Sequence, residues 1–400
     1  MADGVDSLMY EFGAGKSAIR EVCEKTFALK ERGETDFWDF SIGNPSTAAP
    51  EAVNQAVRDV MEEFGSLDLH GYSPNNGWES TRAAIADNLN KRFDAGATAD
   101  DLILTAGCAG AITATIGALT VPGEDVIVLT PYFPEYRMYI QAWHCRCVEV
   151  PTTPETFQID VDAIEKAITR CTRMVIINTP NNPTGAVYDE ASIKALGDLL
   201  RRESERLGRT IYLLSDEPYR EICYDGLVNP WVPDCYENTI VAYSYSKSLS
   251  LPGERIGYAY VPKSVTNQAD VILGILGAQR AVNTIQNSTM QRMIERCVDL
   301  TADLSEYDRK RAIIYDGLKA IGYDVVRPDG AFYLWVRALE PDDVRFAERA
   351  ADEQRLYIVN STDFGCPGWE RLSYAIDDER LQSCLPAFKR LWDTYGGYTW

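Results

Sequence analysis

Histidine is almost missing from this chain: there are two in 400 residues, His70 and His144. Neither has a partner at zinc-ligand spacing, so no metal site is expected. So few imidazoles also leave little for a Ser-His-Asp hydrolase to work with. The ten cysteines are scattered, and no CxxC pair occurs among them. The N-terminal stretch MADGVDSLMYEFGAGK has no apolar signal core. Unpaired thiols without such a leader predict a reducing, cytoplasmic setting. Basic charge is also short, with 39 Lys and Arg against 60 Asp and Glu for a net charge of −21. Nucleic acid and anionic membranes are therefore poor partners, although a local basic pocket for a small anion is still possible. The most apolar helical run, VILGILGAQRAV, is too short to cross a bilayer.

What is present is alternation. Short β-branched runs at 102–107, 125–131, 145–151, 173–180, 210–218, 238–246 and 255–262 are interleaved with helical patterns such as VDAIEKAIT and EASIKALGDLLRRESERL. Several runs are apolar almost throughout, as strands covered on both faces must be. The fold class expected is α/β, a mostly parallel sheet with helices on both faces. From about residue 290 the pattern changes to one long or broken helix. Two strands around a PDG turn follow, then helix, strand and helix. This predicts a large domain over 47–290 and a smaller α+β domain from 1–46 plus 291–400.

In an open α/β sheet, ligands bind beyond the C-terminal strand ends. Those ends read TAGCAGA, PYFP, NNPTG, SDEPY and SYSK. Small residues at Cys108 and Ala109, opening a helix, suit a phosphate, though such turns also serve packing alone. Ser244, Ser246 and Arg255 can hold a phosphate, with Arg255 offering a planar fork. Lys247 between them would lose proton affinity in a shielded pocket, and a neutral amine is what Schiff-base chemistry needs. From spacing alone, a solvent-facing lysine and an unrelated arginine fit equally well. Asp216 ends an apolar strand, where a carboxylate needs a partner. It could bind a metal, act as a base, pair with a protonated ring nitrogen, or cap the next turn. Tyr219 can reach the same place. Asn182 sits in a proline-fixed turn.

The order of these motifs, NxPNNPTG, SDEPY, SxSKSxxLPGxRxGY and a late RxS, resembles the fold-type I pyridoxal-phosphate enzymes. More narrowly, it is similar to the class I aminotransferases of the aspartate aminotransferase family, bacterial aspartate type. The likeness runs from SIGNPS at 41 to Arg371. It implies pyridoxal 5'-phosphate as cofactor, with Lys247 the Schiff-base lysine, Asp216 on the ring nitrogen, and Tyr219 and Asn182 on the ring hydroxyl. Ser244, Ser246, Arg255 and the backbone of Cys108 and Ala109 would hold the phosphate, and Phe133 would stack on the ring. Tyr72 would reach the phosphate of a partner subunit in a homodimer with shared active sites. Arg371, with Asn182 and the backbone of Gly43, would bind the substrate α-carboxylate. Arg280 and Arg20 are candidates for a distal carboxylate.

Two positions depart from the family pattern. Cys108 and Ala109 stand where many relatives offer a hydroxyl or amide, and Phe133 stands where tryptophan is common. The activity implied is amino transfer between an L-amino acid, aspartate favoured, and a 2-oxo acid such as 2-oxoglutarate. A carbon–sulfur β-lyase on the same scaffold is the alternative. A DNA-binding regulator would need a winged-helix segment and basic charge, and the chain has neither.

Overall fold

The computed structural model describes residues 4–15, 17–282, 286–398 and 400. A short strand β1 (Trp38–Asp39) precedes the main sheet. That sheet is built from β2 (Leu102–Thr105), β3 (Asp125–Thr130), β4 (Arg146–Pro151), β5 (Thr172–Asn178), β6 (Tyr212–Asp216), β7 (Thr239–Ser244) and β8 (Gly257–Tyr260). Its order is β2-β8-β7-β6-β5-β3-β4. Only β8 runs against its neighbours β2 and β7, so the sheet is mostly parallel, as expected.

The near-continuous apolar strands have a direct physical reason. Val126, Val128, Met174, Ile176 and Leu214 point into one core, against Ile112 and Ile116 of the helix Gly107–Leu119 and Ile275 of Gln268–Val282. The intervening residues Ile127, Leu129, Val175, Ile177 and Leu213 point the other way, against Ile193, Leu196 and Leu200 of Glu190–Leu207. Both faces are covered, so alternation in side-chain direction does not appear as alternation in polarity.

Four further strands, β9 (Val325–Val326), β10 (Tyr333–Arg337), β12 (Val359–Asn360) and β13 (Trp369–Ser373), form an antiparallel sheet. Between them β11 (Leu356–Tyr357) pairs in parallel with β1, which ties the N-terminal segment to this second sheet. The helical pattern after residue 290 resolves into two helices, Ser288–Glu295 and Ser305–Ile321. The first is capped by the Asn287 side chain. Its Met293 and Ile294 pack with Val53, Ile85 and Leu89.

Candidate active site

Five strands deliver the site. The ends of β2, β5, β6 and β7 place Thr105, Asn178, Asp216 and Ser244 at one edge of the main sheet, where register pairs Asn178 with Asp216. Strand β13 of the second sheet brings Arg371 to the opposite side. A cavity of about 350 Å³ lies between. Its walls include Gly43, Cys108, Ala109, Phe133, Asn182, Asp216, Tyr219, Ser244, Ser246, Lys247, Arg255 and Arg371. Every expected cofactor and substrate residue of the chain's own pocket is therefore in one place. Tyr72 is not; it is 91% exposed and outside this cavity. Arg280 is exposed on the helix Gln268–Val282, also outside it.

Lys247 lies in a single helical turn after β7, and its Nζ donates to the carbonyl of Gly43 at 2.6 Å. Burial, with the positive charges of Arg371 and Arg255 nearby, lowers its amine to about 8. Removing water disfavours the ammonium, and the two guanidinium groups repel it. Asp216 behaves in the opposite sense. Burial raises its carboxyl to about 6, against the hydrogen bond from Tyr136 that favours the carboxylate. The Tyr136 hydroxyl and Asn178 Nδ2 both donate to Oδ2. Oδ1 is buried with no partner among the described residues. An orphaned carboxylate oxygen facing a cavity is costly unless a ligand supplies a donor. A protonated ring nitrogen is such a donor.

At the other end, Ser244 and Ser246 hydroxyls bond each other at 2.6 Å. A side chain at Gly107 would come within 3.0 Å of Arg255 Nη2 and 3.2 Å of Ser244 Oγ. Gly107 also has φ +69°, a conformation that glycine adopts without strain. It opens a 13-residue helix that has no side-chain cap, so the first amide groups are left to meet an anion. The backbone can thus offer donors that the side chains of Cys108 and Ala109 lack. Arg255 itself stands before β8 at φ +53°, held by the carbonyls of Pro252 and Ala106.

Arg371 is 1% exposed. Its Nη1 donates to Asn182 Oδ1 at 3.3 Å and its Nη2 to the carbonyl of Ser41, while Nε has no partner among the described residues. A buried guanidinium with no carboxylate among those partners is poised for an anionic ligand. Tyr219 and Tyr333 share a 2.7 Å hydroxyl contact.

Sequence reasoning missed Tyr136, Asn178, Tyr333 and Glu135. Asn178 belongs to the quoted motif NxPNNPTG but received no role, and Tyr136 lies two residues beyond PYFP. Tyr333 is reached only through register: it shares a face with Arg371 because β10 pairs Trp335 with Arg371 and Tyr333 with Ser373. No local sequence signal marks it.

The donor set fits a phosphorylated pyridine aldehyde. An anion cradle, a carboxylate oxygen awaiting a ring N–H, a phenol and a weakly basic lysine all meet in one cavity. The comparisons agree. Residues 35–388 match the model of the family described as aminotransferase class I and II. The crystal structure of an amino transferase from Eubacterium rectale is similar, with TM-score 0.94 and 45% identity over 98% of this chain and 100% of that one. The aspartate/prephenate aminotransferase of Thermus thermophilus is 32% identical over 94% of this chain and 96% of its own length. A structure of Thermus thermophilus aspartate aminotransferase with maleate has TM-score 0.86 and 30% identity, covering 98% of this chain and all of that one.

Proposed function

The chain belongs to the class I and II aminotransferases, of fold type I and the aspartate aminotransferase family, and from that premise we propose that it moves the amino group of an L-amino acid, aspartate favoured, to a 2-oxo acid such as 2-oxoglutarate. The observation that carries this reading is the unpartnered Asp216 Oδ1 in the same cavity as the low-basicity Lys247 amine.

Pyridoxal 5'-phosphate, when bound, supplies an electron sink and a temporary carrier for the amino group. The protein's own groups do the rest. Ser244, Ser246, Arg255 and the N-terminal amides of the helix Gly107–Leu119 hold the phosphate. Asp216 Oδ1 keeps a proton on the ring nitrogen. Tyr136 and Asn178 fix that carboxylate through Oδ2, so its free oxygen has one direction available. Phe133 gives the ring an apolar wall. Arg371 binds the substrate α-carboxylate through its free Nε and orients Cα toward Lys247. Lys247 Nζ, neutral above pH about 8, would take the Cα proton and pass it on to the cofactor rather than back to the same Cα. Positioned proton transfer of this kind is worth about 10²–10⁴-fold.

Relatives named for aspartate and for prephenate support an acidic or bulky carboxylate partner. No feature of the cavity favours the carbon–sulfur lyase over amino transfer. We infer a homodimer, because Tyr72 is exposed outside its own cavity and suits that of a second copy. The ten free thiols support a cytoplasmic setting.

The test is a panel of amino donors against 2-oxoglutarate, pyruvate and oxaloacetate. Amino transfer from aspartate at the highest kcat/KM is expected. Release of pyruvate and ammonia from cystathionine without transfer would replace the reading by the lyase. Sedimentation should give an active dimer, and active monomers alone would remove the shared-site assignment of Tyr72.

A further inference from the structure

Four cationic side chains line the cavity: Lys247, Arg255, Arg371 and Arg20. Roles for the first three follow from their contacts. Arg20, which the family resemblance left beside Arg280 as a candidate for a distal carboxylate, has no role fixed by contacts so far. It lies on the helix Ala18–Glu31, whose first amide is held by Asp363 at 2.6 Å and whose Ala18 packs against Trp335 and Phe364. That helix is thereby fixed to the second sheet, with Ile19 and Arg20 on the cavity wall. Arg20 Nε donates to Glu135 Oε1 at 3.2 Å. Its side chain is 61% exposed and that of Glu135 10%. Among the described residues, Nη1 and Nη2 make no other hydrogen bond or ion pair.

Glu135 opens the helix Glu135–Ala142, where a negative charge is favoured. The pair is therefore asymmetric. A nearly buried carboxylate at the start of a helix holds one nitrogen of an exposed guanidinium and leaves its two-pronged end free of other bonds among the described residues. Such an end matches a carboxylate by two parallel bonds. Ile19, Ile42 and Phe133 line the same cavity, and apolar walls strengthen a charged contact by excluding water.

We propose that Arg20 is the anchor for the side-chain carboxylate of a dicarboxylic substrate and that Glu135 is its positioning residue. This rests on the aminotransferase reading but names a residue of the same chain, not of a partner, as the one that selects the substrate. Arg280, outside the cavity, would then have no part in selection.

Succinate and butyrate differ only in the second carboxylate and serve as probes. Both are titrated into the holoenzyme and followed by cofactor absorbance and by calorimetry. In Arg20→Met, succinate should bind about ten- to a hundredfold more weakly, the loss expected for a charged hydrogen-bonded contact, with butyrate changed less than about twofold. Arg20→Lys should recover part of the loss as a point charge without the fork. Glu135→Gln should weaken succinate less than Arg20→Met does. Unchanged succinate in Arg20→Met, equal weakening of both ligands, or a loss that appears in Arg280→Leu instead would each overturn the proposal. So would 5-aminopentanoate binding more tightly than succinate in a manner that needs Glu135. A holoenzyme that keeps the succinate–butyrate gap but transfers no amino group from any donor would sink the transamination reading and leave the anchor standing.

Discussion

The floor and the rim of the cavity are built on opposite principles. At the floor, Asp216, Tyr219, Tyr333 and Arg371 are 5, 5, 2 and 1% exposed. Each is held by at least one other buried group. At the rim, Arg20 is mostly exposed and tied by one nitrogen. Burial makes charges at the floor strong and fixes their direction before any ligand arrives, which is what bond making and breaking require. Exposure at the rim leaves a charge weak but adjustable, which suits choosing among substrates. The chemistry should therefore be brittle at the floor and tunable at the rim.

The largest expected break is Lys247→Ala. It removes both the nucleophile and the proton carrier, so the first half-reaction should slow by about 10⁴-fold or more. Borohydride, which should fix the cofactor irreversibly to the natural protein as its yellow colour is lost, should fix none to the variant. A variant slowed less than about tenfold would show that another base moves the proton.

Arg371→Leu comes next. Loss of one partner from a buried, hydrogen-bonded charge contact costs about 2–5 kcal/mol, or about thirty- to several-thousandfold in affinity. The effect should fall on KM for amino and oxo acids alike, monocarboxylic and dicarboxylic, with cofactor affinity little changed. This separates it from Arg20, whose loss should be felt only when a second carboxylate is present. Equal effects of Arg371→Leu and Arg20→Met on a monocarboxylic substrate would erase the distinction between floor and rim.

Legibility in the sequence follows the same division, for reasons of covalent distance. Lys247, Ser244, Ser246 and Arg255 sit within twelve positions of one another, and Asp216 and Tyr219 within four. Their chemistry shows as local motifs, and the buried strands that carry them show as apolar runs. The placement of Asn182 and Arg371 was legible only through motif order, since nothing local joins residues this far apart in the chain. Tyr333 and Glu135 were not legible at all. A tyrosine in an apolar strand and a glutamate opening a helix are ordinary packing and capping choices. Only the β10–β13 register and the docking of the N-terminal helix turn them toward the cavity. The helical break between Glu295 and Ser305 was left open by the sequence. No proline or glycine marks it, and the second helix starts at a serine whose amide and hydroxyl bond Asp303.

The pH dependence of cofactor capture sharpens the comparison by about tenfold per pH unit. Lys247 must be neutral to react, and its amine lies at about 8 in the folded chain against 10.5 unperturbed. The capture rate of the apoprotein, followed by absorbance, should climb one decade per unit from pH 6 to about 8 and then level off. Below about 6 the Asp216 carboxyl also takes up a proton, and the fall should steepen. Asp216 is buried and Lys247 half-buried, so salt should shift neither limb much. Succinate binding through the exposed Arg20 should weaken as salt rises. A capture profile still climbing at pH 10 would mean that Lys247 is not shielded.

The smallest expected effect tests whether the floor is rigid because of its hydrogen bonds or because of its packing. The Tyr333 hydroxyl meets the Tyr219 hydroxyl at 2.7 Å and lies where a side chain on residue 43 would have to go. The Tyr333 ring also lies 4.8 Å from the Arg371 guanidinium carbon. Tyr333→Phe keeps the ring and its contact with Arg371 and removes one hydrogen bond, worth about 0.5–1.5 kcal/mol. A two- to tenfold loss in kcat, by about the same measure, is expected with KM unchanged. The Tyr219 hydroxyl would lose its buried neighbour and be held less firmly, while Arg371 would keep its orientation. If KM rises instead, the hydroxyl is holding Arg371 and the floor is one connected network. If neither constant moves, packing alone sets the geometry, and the Tyr219–Tyr333 contact is a consequence of that geometry.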